Sequence, residues 1–133
     1  MNNYLELAES DLAVARRSID SLKDTASAVT ISLEQTVEKC FCHLLQIKNA
    51  KFEKTHSCEK LLILCKEYYD DIPSEINDIF CRILNIWYHN NRYPSMMVGL
   101  QDFKLIKGMF VHTQDFFTYT VEKDKFWKEN KNE

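Results

Sequence analysis

Glycine and proline are nearly missing from this chain: two of each in 133 residues, about 3% together against roughly 12% in an average protein. Sheets joined by tight turns need those residues at the turns, so their scarcity argues against an all-β sandwich or barrel. Long apolar runs are missing too. The longest is Leu61–Cys65, far short of the ~20 residues that span a bilayer. Positive charge is not in excess: 17 Lys and Arg face 20 Asp and Glu, for a net charge of −3. That balance argues against nonspecific nucleic-acid binding, which needs a broad basic surface. The opening Met1–Asp11 segment is acidic and amphipathic, without the basic and apolar regions of a leader, so the expected location is cytoplasmic.

What is present is apolar and charged material in globular proportion, 45% hydrophobic and 28% charged residues. The chain length suits one domain. Five cysteines, Cys40, Cys42, Cys58, Cys65 and Cys81, form an odd set inside helical pattern, which fits reduced thiols filling a core. Cys40, Cys42 and His43 invite a metal reading. Positions i and i+2 of a helix point about 200° apart, however, and no second ligand pair at zinc spacing exists, so no metal and no cofactor is expected.

The apolar periodicity predicts an all-α, up-and-down bundle of about five helices. The first runs over Tyr4–Leu22, with Leu5, Ala8, Leu12, Ala15, Ile19 and Leu22 on one stripe. Asp24, Thr25 or Ser27 is the expected cap of a second helix reaching Asn49. Its stripe of Ala26, Val29, Leu33, Val37, Cys40, Leu44 and Ile47, widened by Phe41 and Leu45, marks it as central. Thr55 or Ser57 opens a third, over His56–Tyr69, with Leu61, Leu62, Cys65 and Tyr68 inward. Ser74 caps a fourth that reaches Asn91 before Pro94. A last helix over Leu100–Val121 turns Phe103, Ile106, Phe110, Phe117 and Val121 inward. The domain is thus expected to occupy residues 1–121, with 122–133 a charged, frayed tail, apart from docking by Phe126 and Trp127.

Four segments in order carry a resemblance: Tyr4-Leu5-Glu6-Leu7-Ala8-Glu9-Ser10-Asp11-Leu12-Ala13-Val14-Ala15-Arg16 opening the first helix, Gln35-Thr36-Val37-Glu38-Lys39 in the second, Thr55-His56-Ser57-Cys58-Glu59-Lys60-Leu61-Leu62 opening the third, and Tyr88-His89-Asn90-Asn91-Arg92-Tyr93-Pro94 closing the fourth. Over about residues 4–121 the chain resembles the HEPN domain, a small helical bundle. The resemblance implies a homodimer, often encoded beside a minimal nucleotidyltransferase, which is then an expected partner. It also implies one of two roles. Some relatives are metal-independent endoribonucleases of toxin type, marked by Arg, four to six residues, then His; others bind nucleotides or partners without catalysis.

Arg82, followed after six residues by His89, satisfies that spacing. Seven positions complete nearly two turns, so both side chains leave one helical face about 10 Å apart along the axis. His89 would move the proton of an RNA 2′-hydroxyl and Arg82 would stabilise the phosphorane charge. The competing reading makes Glu75, Asp78, Arg82, Asn85 and His89 the polar stripe of an amphipathic helix, with Asp78 and Arg82 an i,i+4 ion pair. Arg92, with His56 and Lys60, forms a candidate anion site for a nucleotide phosphate; alternatively Arg92, Tyr93 and Pro94 only end the helix. Gln35, Glu38 and Lys39 suit a buried network within the bundle or at a dimer seam. The apolar circumference of the fourth helix, from Ile76 to Trp87, exceeds what one bundle needs and points to a partner surface. The expected function is a dimeric binding module for a nucleotide or a nucleotidyltransferase. The alternatives are an endoribonuclease acting on RNA through Arg82 and His89, and a purely structural interaction protein.

Overall fold

A computed structural model describes residues 3–92 and 102–131. Every regular element among them is helical: α1 Tyr4–Ser18, α2 Leu22–Ile47, α3 Cys58–Lys66, α4 Asp78–Arg92 and α5 Phe103–Asn130. None of these helices is long and apolar enough to cross a membrane. α2 is the axis of the bundle, packed by α1, α3, α4 and α5. Its burial on all sides follows from its apolar circumference: Val29, Leu33, Val37, Phe41, Leu44 and Leu45 are all fully buried. Phe41 meets Phe116 of α5 with ring centroids 4.9 Å apart and a tilt of 56°, a favoured aromatic geometry. From α1, Ala8, Leu12 and Ala15 face the core, small residues that bring the α1 backbone close to α2.

Local chemistry sets the helix ends. α1 passes into α2 through a 3₁₀ turn, Ile19–Ser21, so α2 starts at Leu22, ahead of the expected caps, and has no side-chain cap. Thr25 instead donates its hydroxyl to the carbonyls of Ser18 and Ser21, at 3.0 and 2.9 Å, and ties the corner. α2 ends in a left-handed residue, Asn49 (φ 54°). The Ala50 N–H reaches the Leu45 carbonyl and the Asn49 N–H that of Gln46, each at 3.0 Å, the pair of bonds that closes a Schellman turn. Ser57 caps α3 by accepting from the Lys60 N–H.

Four further features differ from what the sequence predicts. α4 begins at Asp78 rather than after Ser74, because the Asn77 side chain accepts the Phe80 N–H at 3.0 Å, while Pro73 to Ile76 forms a separate turn that buries Ile76. Just after α3, which ends at Lys66 rather than Tyr69, the neighbour of Tyr68 turns inward: Tyr69 donates its hydroxyl to the Leu44 carbonyl at 2.6 Å, and Tyr68 stays exposed. α5 is rotated relative to the aromatic pattern. Ile106, Met109, Thr113, Phe116, Thr120 and Asp124 are its buried residues, whereas Phe103 and Val121 are exposed. The two threonines are accommodated because each hydroxyl donates to the carbonyl four residues back, at 2.7 and 2.8 Å. Finally, residues 122–130 continue α5 instead of fraying. Buried Asp124 accepts from His43 of α2 at 2.8 Å and pairs with Lys128 at 3.0 Å, which fastens the last turns to the bundle. Burial raises the Asp124 carboxyl, but hydrogen bonds from Lys128 and His43 outweigh it and hold the group below the ordinary carboxylate range.

Candidate functional site

Two of the sequence candidates, His56 and Arg82, make contacts where α3 and α4 meet α2. Glu34 has no solvent exposure. Gln35 donates one amide to Glu34 at 2.6 Å and to Glu38 at 3.4 Å, bridging two carboxyl groups on successive turns. Burial, then the hydrogen bond and charge of Glu38, push the Glu34 carboxyl up to about 9. Glu34 is therefore held as the neutral acid at physiological pH. Glu38 in turn meets the Nδ1 atom of His56 at 2.9 Å. The imidazole stacks on Tyr88 of α4, with centroids 4.8 Å apart and an interplanar angle of 17°. Its side chain is half exposed. A carboxylate on one ring nitrogen orients the imidazole and leaves Nε2 as the nitrogen for external chemistry.

Asn85 joins α4 to the start of α3. Its Oδ1 accepts the Cys58 N–H at 2.9 Å, and its amide donates to Glu59 at 3.1 Å. The Asn85 amide thus satisfies one of the orphan N–H groups of α3. Arg82 is exposed and pairs with Glu59 of α3 at 4.0 Å, across the interface rather than along α4 to Asp78. His89 is exposed two turns further along. Lys60 is also exposed, in the first turn of α3 and four residues after His56. The side chain of Arg92 lies outside the described residues, as do Tyr93 and Pro94. The structure therefore brings His56, Tyr88 and Glu38 into contact, and Arg82 with Glu59 and Asn85.

Gln35 and Glu38 do enter a buried network, while Lys39 leaves it to pair with Asp11 of α1. Glu34 was missed by the sequence reading. Its signal was there: it stands three residues before Val37 and seven before Phe41, in phase with a stripe that is otherwise apolar. The five thiols are all free and buried. Burial pushes Cys40, Cys42 and Cys81 up to about 12 and Cys58 well above its ordinary value, which makes them unreactive fillers. Cys58 also lies 3.9 Å from Glu34.

An all-α bundle centred on one long helix, with a polar face where its third and fourth helices meet, defines the class of molecule. The family model of the HEPN domain matches residues 1–122. The chain belongs to the HEPN domain family. No curated protein and no solved structure matches it.

Proposed function

We propose that the protein is a dimeric HEPN binding module that takes a nucleotide, or the nucleotidyltransferase that handles one, on the α3–α4 face without acting as a catalyst. The observation that carries this reading is the His56–Tyr88 stack held by Glu38. It is a flat, half-exposed aromatic surface suited to a base, with Lys60 four residues on in α3 and Arg82 in α4 for phosphates. Glu59 of α3 lies 4.0 Å from the Arg82 guanidinium. Dimerisation is supported by α4, where Ile79 is 68% exposed beside an open groove of about 550 Å³ floored by Phe80, Ile83, Leu105 and Met109.

Calorimetric titration with ATP tests the ligand. Binding weakened about tenfold or more in His56→Ala, with unchanged helicity, is the expected result. Equal binding in the variant removes the stack from the site. A second reading is favoured by one observation: Arg82 and His89 are both exposed on α4 at the spacing of the catalytic relatives. As a metal-independent endoribonuclease, the protein would cut RNA in EDTA, leave 2′,3′-cyclic phosphate ends, and lose activity in His89→Ala. Intact RNA after prolonged incubation with the wild type eliminates that reading.

A further inference from the structure

Another cavity, of about 320 Å³, lies at the C-terminal end of α2. It is enclosed by the end of α2, the segment after α3, and the last turns of α5. Its C-terminal wall, Lys123, Phe126, Trp127 and Asn130 of α5 with Lys131 just after it, comes entirely from residues beyond the family match at 122. From this geometry we infer that the cavity is a binding site for a small planar aromatic anion, one or two fused rings bearing a carboxylate or phosphate.

Three observations carry the inference. The first is shape and surface. The size is at the low end for ligand pockets, and Tyr68, Phe126 and Trp127 are among its lining residues. Phe126 is 66% exposed and Tyr68 41%, so both can stack on an incoming ring. The second is charge. Three lysines, Lys48, Lys123 and Lys131, face two acids, Asp70 and Asp71, an excess of one positive charge in a protein that is negative overall. Asp71 is committed to Lys123 and to the Tyr119 hydroxyl. The third is how the remaining ammonium groups are held. Lys48 sits 5.1 Å from the Tyr69 ring centroid and Lys131 5.0 Å from that of Trp127. Cation–π contacts of this exposed kind are worth only about 0.5–1 kcal/mol, so the cations swing to a bound anion at small cost. Lys48 is also placed by a rigid feature, since it is the last residue before left-handed Asn49 in the turn that ends α2.

The test is an NMR titration of the full chain, read at the two tryptophan indole N–H signals. Trp87 is buried in the core, while Trp127 lines the cavity; Trp127→Phe assigns the signals. The probes are adenosine monophosphate and indole-3-acetate, with adenosine and indole as uncharged counterparts. Either anion is expected to shift the Trp127 signal, while movement of the Trp87 signal, next to Tyr88, reports the α3–α4 site separately. Each uncharged counterpart should bind about tenfold more weakly, and Lys48→Ala combined with Lys131→Ala should weaken the anions by a similar factor. The tighter anion shows whether the site prefers a nucleotide or an aromatic carboxylate. An unmoved Trp127 signal at millimolar concentrations of both anions overturns the proposal. So does equal affinity for the uncharged compounds, or no effect of the lysine substitutions. Those substitutions change only surface ammonium groups and decide the matter even if Trp127→Phe fails to fold. The outcome is independent of the α3–α4 site, which is read at His56 and Tyr88.

Discussion

Glu34 keeps a proton that most glutamates release, and this has a consequence for stability. In the unfolded chain a glutamate titrates near 4.3, whereas the folded environment holds Glu34 near 9. Between those values the folded state binds a proton that the unfolded state does not, so stability from this group falls as pH rises from about 4.5 to about 9. Thermal unfolding of the wild type should therefore show a melting temperature that declines across that window. Glu34→Gln removes the titration while keeping the shape and a donor toward Glu38, so its profile should be flatter. Parallel profiles would mean that Glu34 is not the proton holder. At this scale the sequence was only partly legible. Ala8, Leu12 and Ala15 announced their burial by spacing, whereas Glu34, Thr120 and Asp124 are buried against their type. Their partners, Gln35 and Glu38, the Phe116 carbonyl and His43, make that burial tolerable, and two of these partnerships depend on tertiary placement or a neighbour's rotamer.

Helix ends decide how the site is presented. Asn49 adopts φ 54°, a conformation that costs an ordinary L-residue roughly 1–2 kcal/mol and asparagine less. Asn49→Ala should lower stability by about 1 kcal/mol in urea unfolding, and Asn49→Gly should be neutral or slightly stabilising. A loss of equal size in both variants would show that the Asn side chain, not the backbone turn, matters there. The positions of the helices were legible because α1, α2 and α3 carry clear 3.6-residue stripes. The phase of α5 was not, since its aromatics form two adjacent rows and choosing between Phe116 and Phe117 depends on which one Phe41 meets. The start of α4 was displaced for a similar reason: Ser74 and Asn77 are both competent caps, and burial of Ile76 selects the later one.

For the molecule as a whole, the α-helical class followed from scarce glycine and proline, and the family from four ordered segments that the HEPN match then covered. The candidate site was legible as residue types, His56, Lys60, Arg82 and His89, but not as a geometry. That Glu38 would claim His56, and Glu59 would face Arg82, depends on how α3 crosses α2 and α4. The binding-module account needs two copies, joined through the apolar side of α4. Sedimentation equilibrium of the wild type and of Ile79→Asp tests it most directly. Ile79 is exposed in the single chain, so the substitution leaves its folding intact. The account predicts a wild-type mass of twice 15.8 kDa and a shift to the single-chain mass in Ile79→Asp with helicity unchanged. A wild type that sediments as one chain at all concentrations would contradict it.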